Sequence, residues 1–300
     1  MSAAQFTGVM TAMVTPFNNG AFSSEDMASI TERQIADGVN GLAVVGTTGE
    51  ASTLSFEEQI EAIRCVVDTA AGRVPVIAGA GSNSTAEAIH LTRLAAETGV
   101  DGFLHVAPYY NKPTQEGLYR HFAAIAEETD KPVVLYSIPS RCGIEIGVDT
   151  VARLRARYPH VNHIKEAGGS CARVDRLAAE LGDSVTILCG DDGLTLPFIA
   201  LGARGVISVA SNFATAELVQ MVAAVLRNDF QAALPLHRRL TPLFRDLFIE
   251  SNPVPVKAAM KRAGMIRSDE VRLPLAPLSD ASREQLLQTL ERLEQSSSAS

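Results

Sequence analysis

Apolar residues in this chain come in short runs separated by longer amphipathic stretches, and the alternation repeats eight times. The runs are VMTAMVTP (9–16), GLAVVGTTG (41–49), VPVIAGAGS (74–82), GFLHVAPYY (102–110), PVVLYSIP (132–139), VNHIKEAG (161–168), VTILCGDD (185–192) and GVISVASN (205–212). Each is too short for a helix and rich in Val, Ile and Leu, as suits strands covered on both faces. The stretches between them read as helices. Residues 83–98 place Ile89, Leu91, Leu94 and Ala95 at a mostly helical spacing. Ser55 with Glu58 is a capping-box pattern that predicts a helix start. Gly38, Gly72, Gly99, Gly182 and Gly202 stand where helices should end in a left-handed cap.

Regular strand–helix alternation implies a parallel sheet. Eight units fit a closed (β/α)8 TIM barrel over residues 1–228, within which no linker or composition break occurs. A doubly wound sheet has no need of eight repeats and would carry a glycine fingerprint after its first strand, where this chain has TPFNNG. Residues 229–295 predict three further helices, a C-terminal helical extension packed on the barrel. The tail, 296–300, is expected to be disordered.

Composition narrows the class. The formal charge of −8 and pI near 5.3 argue against a nucleic-acid partner, which needs clustered Lys and Arg. The first residues lack the basic-then-apolar pattern of a signal peptide, and no apolar segment approaches the roughly 18 to 20 residues of a membrane span. Cys65, Cys142, Cys171 and Cys189 show no paired spacing and read as reduced thiols. The expectation is a cytoplasmic protein with no membrane partner.

In such a barrel the active site lies at the C-terminal strand ends. Those ends carry Thr15, Thr47 with Thr48, Ser82, Tyr109 with Tyr110, Tyr136, Lys165, Gly190 with Asp191, and Ser208 with Ser211. Lys165, in VNHIKEAGGS, is the one strong nucleophile. A lysine there could merely lay its stem on apolar surface with the ammonium in water. Held in a pocket, its amine can instead attack a carbonyl and form a Schiff base. That requires the neutral amine, so the pocket must lower a pKa that is ordinarily about 10.4, by burial or a nearby cation. Arg141, just beyond the fifth strand, suits either that cation or a carboxylate clamp. Tyr136 is placed to shuttle protons, and the GTTGE turn offers Thr47 and Thr48 as donors to a small carboxylate. Together these describe a class I aldolase acting on a 2-keto acid.

The pieces GTTGEAST (46–53), PYYNKPTQEGLYRHF (108–122), YSIPSRCG (136–143), IKEAGGS (164–170), CGDD (189–192), GVISVASN (205–212) and ESNPVPVK (250–257) span nearly the whole chain. In order and spacing they resemble the dihydrodipicolinate synthase family of the N-acetylneuraminate lyase superfamily. The resemblance implies a Schiff-base condensation of pyruvate with L-aspartate 4-semialdehyde to 4-hydroxy-tetrahydrodipicolinate, the first committed step of diaminopimelate and lysine biosynthesis. It implies no cofactor beyond the covalent imine. Lys165 matches the imine-forming lysine and Tyr136 the proton-relaying tyrosine. Thr48 matches the threonine linking Tyr136 to Tyr110, which in the family reaches into the neighbouring subunit. Thr47 and Thr48 match the pyruvate-carboxylate donors, and Gly190 and Ile207 line the lysine pocket. Arg141 matches the arginine that holds the second substrate's carboxylate. A homotetramer built as a pair of dimers is implied.

Arg141 separates this reading from sialic-acid and keto-deoxy-sugar lyases, which share the first half of the chemistry, because a guanidinium fits a carboxylate. A catalytically silent binding paralogue would have lost Lys165 or the tyrosines. Two positions depart from the family pattern. Ser137 replaces a frequent Asn. Lysine-inhibited members bind the end product through residues matching Asn83, Glu87 and Tyr109, present here, and through histidines whose positions hold Phe56 and Gln59. Weak or absent lysine inhibition follows.

The six histidines (90, 105, 121, 160, 163 and 237) lack metal-ligand spacing and are expected at the surface or behind the site, with no metal centre. GAGSN lacks the full dinucleotide fingerprint. Asp191 and Asp192 are expected to cap the next helix or order the lysine pocket.

Overall fold

A computed structural model describes residues 6–297. Each of the eight apolar runs forms a parallel strand, shorter than the run that predicts it. These are β1 (Gly8–Ala12), β2 (Gly41–Val44), β3 (Val76–Gly79), β4 (Gly102–Val106), β5 (Val133–Ser137), β6 (Val161–Glu166), β7 (Thr186–Cys189) and β8 (Gly205–Ser208). The C-terminal part of each run leaves the sheet to build the loops of one rim. Every strand pairs with its sequence neighbours, and β8 returns to β1 to close the barrel.

Closure depends on two residues without side chains. Gly8 and Gly205 face each other across the β1–β8 seam. A Cβ on Gly205 would lie 2.1 Å from the Gly8 carbonyl oxygen, and Gly8 itself has φ +70°. Inside the barrel, Met10, Ala43, Ile77, Leu104, Val134, Leu188 and Ile207 form an apolar filling. Phe6 seals the N-terminal end: its backbone N–H donates to His163 Nε2 at 3.2 Å, and the two rings pack at 5.0 Å.

The outer faces of the strands bury a second, larger core against the helices. The helices are α1 (Ser24–Ala36), α2 (Phe56–Ala70), α3 (Thr85–Ala96), α4 (Gln115–Ala126), the single turn α5 (Pro139–Cys142), α6 (Val148–Arg157), α7 (Cys171–Leu181), α8 (Thr195–Ala200) and α9 (Thr215–Leu226). Ser55 and Glu58 close the expected capping box at the head of α2. All five glycines expected at helix ends have positive φ. One element went unforeseen. TPFNNG is not a plain loop but the turn of a small antiparallel hairpin, Phe17–Asn18 with Ala21–Phe22. Asn19 and Gly20 both take positive φ there, the conformation a two-residue hairpin turn requires.

Three helices follow the barrel, α10 (Phe230–Asp246), α11 (Val254–Arg262) and α12 (Asp280–Ser297). α10 packs on α9 and α12. Helix α12 continues through Ser297, into the stretch expected to be disordered; residues 298–300 of that tail lie outside the described residues. The extension grips the turn after β2. Lys257 Nζ meets Glu50 Oε1 at 2.6 Å, both side chains being almost fully buried, and stands 4.3 Å from the Phe17 ring centre. Arg272 donates its backbone N–H to Glu50 Oε2 and forks onto Glu58 and the Thr53 and Gly20 carbonyls. Among the described residues no helix is long and apolar enough to cross a membrane, and all four cysteines are unpaired.

Of the histidines expected at the surface or behind the site, three are interior. His105 projects outward from β4 under the helical layer and is fully buried; Ala80 is its polar backbone neighbour, but neither ring nitrogen meets a partner in hydrogen-bonding geometry. His121 on α4 shares Nδ1 with Thr85 Oγ1 at 2.9 Å and leaves Nε2 unpartnered. His163 accepts from the Phe6 backbone, a bond only neutral imidazole can accept. Burial, with neighbouring His121 adding repulsion at His105, pushes His105 down to about 3; burial alone pushes His121 and His163 down to about 4.

Below pH 6.5 the unfolded chain binds protons at the three histidines that the folded chain refuses until about pH 4 to 3. Stability is therefore full above about pH 6.5 and falls as pH drops towards 4, by up to about 1.4 kcal/mol per pH unit per histidine. Urea midpoints measured from pH 7 to 5 will decline, and His105→Leu will flatten the decline; an unchanged slope in that variant contradicts the assignment. Lys257→Met alone leaves Glu50 buried without its cation and should cost about 3–5 kcal/mol, whereas Glu50→Leu with Lys257→Met should cost less than the single change. Denaturant unfolding of both variants checks this, and a single-variant loss under about 1 kcal/mol would count against a charged pair.

Candidate functional site

Register brings the chemistry to one rim. Tyr136 on β5 lies opposite Lys165 on β6, which lies opposite Leu188 on β7, so all three point into the barrel. Lys165 is 6% exposed, and its Nζ stands 4.2 Å from the centre of the Tyr136 ring. Burial is the main reason its pKa falls to about 8; Asp192 and Cys189 pull it back up, and Arg141 pushes it further down. Burial likewise raises the Tyr136 phenol to about 12, against the opposing pull of Arg141 and a Thr47 hydrogen bond. At neutral pH the site thus holds a lysine with an appreciable neutral fraction beside a protonated phenol.

The rest of the rim makes room for that pair. A Cβ on Gly190 would meet Ala167 Cβ at 2.6 Å and Lys165 Cε at 3.1 Å, so only glycine leaves the lysine its path. Ile207 closes the inner wall beside Tyr136 and Leu188. Asp191 caps the turn after β7 by accepting from the Gly193 N–H. Asp192 is buried and accepts from Ser208 Oγ and the Val209 and Ala210 N–H groups, anchoring β8 next to the lysine. Glu166, beside Lys165 but facing outward, pairs with Arg173 at 2.7 Å. Arg173 reaches on to Glu145 and the Ile146 carbonyl, fixing the loop that follows α5 and Arg141. Ser137 is on the outer face, its Oγ accepting from the Ile146 N–H, away from the chemistry.

Thr48 was expected to link Tyr136 to Tyr110; of the two threonines it is Thr47 whose hydroxyl counters the effect of burial on the Tyr136 phenol. Thr48 is buried, and its Oγ1 accepts from Asn252 Nδ2 at 2.9 Å. Adjacent residues in a tight turn point in different directions, and here Val45 and Glu50 flank the pair with φ +57° and +55°. A left-handed conformation is costly for a β-branched valine, which places backbone strain at the rim.

A cavity of about 430 Å³ opens at this rim, with Thr47, Tyr136, Arg141 and Asn252 in its walls. It also touches Phe56, Gln59, Glu87 and Tyr109, the positions matched to an effector site. Asn83 donates to the Tyr109 carbonyl at 3.1 Å, and Glu87 accepts from Ser82 Oγ at 2.7 Å. Phe56 packs on the His90 ring at 5.6 Å, and Gln59 spends its amide on the Ala51 and Leu54 carbonyls. Tyr110 is not brought in. It is 91% exposed, at φ +73°, with its ring outside the cavity. Among the described residues no group of three or more His, Cys, Asp or Glu could hold a metal ion. Sequence reasoning did not single out Asn252 or the Glu50–Lys257 pair. The ESNPVPVK motif contains two of these three residues and was the available signal.

The geometry agrees with what the chain resembles. The Dihydrodipicolinate synthetase family model matches residues 5–293. A 4-hydroxy-tetrahydrodipicolinate synthase from Syntrophobacter fumaroxidans is 49% identical over 286 residues, 95% of this chain and 98% of the relative. The solved structure of the 4-hydroxy-tetrahydrodipicolinate synthase from the thermoacidophilic methanotroph Methylacidiphilum fumariolicum SolV superposes with a TM-score of 0.95 at 49% identity, covering 97% of each chain. The dihydrodipicolinate synthase of Aquifex aeolicus gives 0.95 at 45% identity, covering 96% of this chain and 98% of that one. A TIM barrel matched from residue 5 to residue 293, with a buried lysine at its mouth, belongs to the dihydrodipicolinate synthetase family.

Proposed function

We propose that the chain is an enzyme condensing pyruvate with L-aspartate 4-semialdehyde to give 4-hydroxy-tetrahydrodipicolinate, the step at which diaminopimelate and lysine biosynthesis is committed. The observation that carries this reading is Lys165, buried at the barrel mouth against Tyr136 with its pKa lowered to about 8. The neutral amine adds to C2 of pyruvate, and loss of water from the carbinolamine gives the imine. Tyr136, protonated at neutral pH, delivers the proton that departs with that water and takes part in removing one from C3 to form the enamine. Thr47 and Thr48 supply donors to the pyruvate carboxylate, and Gly190 and Ile207 shape the lysine's channel. Arg141 holds the carboxylate of the semialdehyde while C3 of the enamine bonds to the aldehyde carbon. The semialdehyde amine then adds to the imine carbon, closing the ring, and Lys165 leaves as the free amine. No metal or dissociable cofactor enters these steps.

Tyr110, exposed on a left-handed backbone, is read as a group offered to a neighbouring subunit, completing the relay through Thr47 there. This fits a cytoplasmic homotetramer built from two dimers. The cavity wall at Arg141 favours an acceptor bearing its own carboxylate over a sugar fragment.

Mass analysis after incubation with pyruvate and borohydride will find a reduced pyruvyl adduct in the wild type and none in Lys165→Ala; an adduct surviving in the variant would sink the reading. The trapping rate should climb with pH and level off above about 8, as the amine loses its proton. Because Arg141 lowers the Lys165 pKa, Arg141→Ala should move that rise to higher pH. It should also cut kcat/KM for the semialdehyde by about 10- to 100-fold, the loss expected for a charge-assisted bond. A variant with both profiles unchanged would remove Arg141 from the site. Since Phe56 and Gln59 are already engaged within the chain, millimolar L-lysine should leave the rate nearly unaffected; inhibition at micromolar concentration would contradict this.

A further inference from the structure

We propose that Asn252, on the C-terminal extension, is a positioning residue of the active site that acts by fixing the hydroxyl of Thr48. The inference rests on the reading of the turn after β2 as the pyruvate-carboxylate site. Asn252 lies just ahead of α11 and 204 residues from Thr48, yet its Nδ2 reaches Thr48 Oγ1 at 2.9 Å. It is 5% exposed and shares the cavity wall with Thr47, Tyr136 and Arg141.

Two observations separate positioning from scaffolding. The first is that the turn is already anchored without Asn252. Glu50, two residues on, takes Lys257 Nζ and the Arg272 N–H, and Thr15 Oγ1 donates to the Gly49 carbonyl. The second is that Asn252 Oδ1 is buried with no hydrogen-bond partner. An unpaired buried acceptor opposes folding, and an apolar side chain of similar size would avoid it. What the amide uniquely supplies is a donor to Thr48. A threonine has few rotamers, and one whose oxygen accepts a bond keeps its own proton to give elsewhere. Asn252 therefore holds Thr48 in the single orientation in which its hydroxyl and N–H serve one bound carboxylate.

The test is borohydride trapping with pyruvate alone as the probe, measured as a half-saturation concentration alongside thermal melting. It uses the full chain and the variants Asn252→Leu, Thr48→Val and the pair combined. Asn252→Leu should melt at or above the wild-type temperature, because the unpaired oxygen is gone, while its pyruvate half-saturation rises about tenfold, the loss of one oriented hydrogen bond to a charged group. The trapping rate at saturating pyruvate should change less than about threefold, as for an interaction made equally in ground and transition states. In the Thr48→Val background, Asn252→Leu should have no further effect on half-saturation. An equal rise with and without Thr48 would overturn the inference, as would an unchanged half-saturation in Asn252→Leu. If Asn252→Leu does not fold, Asn252→Ser is read by the same two comparisons. Absence of any wild-type adduct would instead strike the proposed function, so the two failures are distinguishable.

Discussion

The seam between β1 and β8 is the constraint on which everything else in the molecule rests. Eight parallel strands make a site only if the sheet closes, and closure here brings backbone to within the reach of a missing methyl group at Gly8 and Gly205. Once closed, register alone aims Tyr136, Lys165 and Leu188 inward at one level, though they come from three strands. The same closure puts Asp192 beside the lysine, because the carboxylate is held by backbone N–H groups at the end of β8.

Lys165 is governed by two opposed effects. Loss of water favours the neutral amine, and the Asp192 carboxylate favours the ammonium; burial is the larger, so the pKa falls only to about 8. A wholly apolar pocket would take it lower and leave a weaker nucleophile, whereas an exposed lysine would stay protonated. The barrel supplies an intermediate setting by placing a cation among aromatic and aliphatic groups with one carboxylate near it. Arg141, on its single helical turn, adds to the same field while facing the cavity.

The fold was legible because buried parallel strands are written as continuous apolar runs, and eight such runs admit few other architectures. That same continuity concealed which face each residue takes. His105 and His163 sit on strands whose two faces are both covered, so a polar residue in such a run tells nothing of its surroundings until the helices and Phe6 are placed. Candidate site residues stand out in the sequence wherever one residue type is decisive, as with Lys165, Tyr136 and Arg141, which the structure brings close together. Neighbours of the same type were harder to tell apart: nothing local says that Thr48, and not Thr47, takes a bond from an asparagine 204 positions away. The Asn19–Gly20 hairpin was written plainly in turn chemistry but lay in a segment weighed only for what it lacked.

The contact between Glu50 and Lys257 has a consequence for how this sequence can change over time. The two residues are 207 positions apart, yet neither can be neutralised alone without leaving the other charged in a dry interior. Substitution at either position is thus conditional on the other, and the conditionality spans most of the gene. Glu50 belongs to the turn that carries Thr47 and Thr48, so drift in the C-terminal helices is tied to that turn. Recombination that joined a barrel from one lineage to an extension from another would have to match at both positions, since a charge supplied by one side alone would be left unpaired, and that makes the extension and the turn after β2 a single inherited unit.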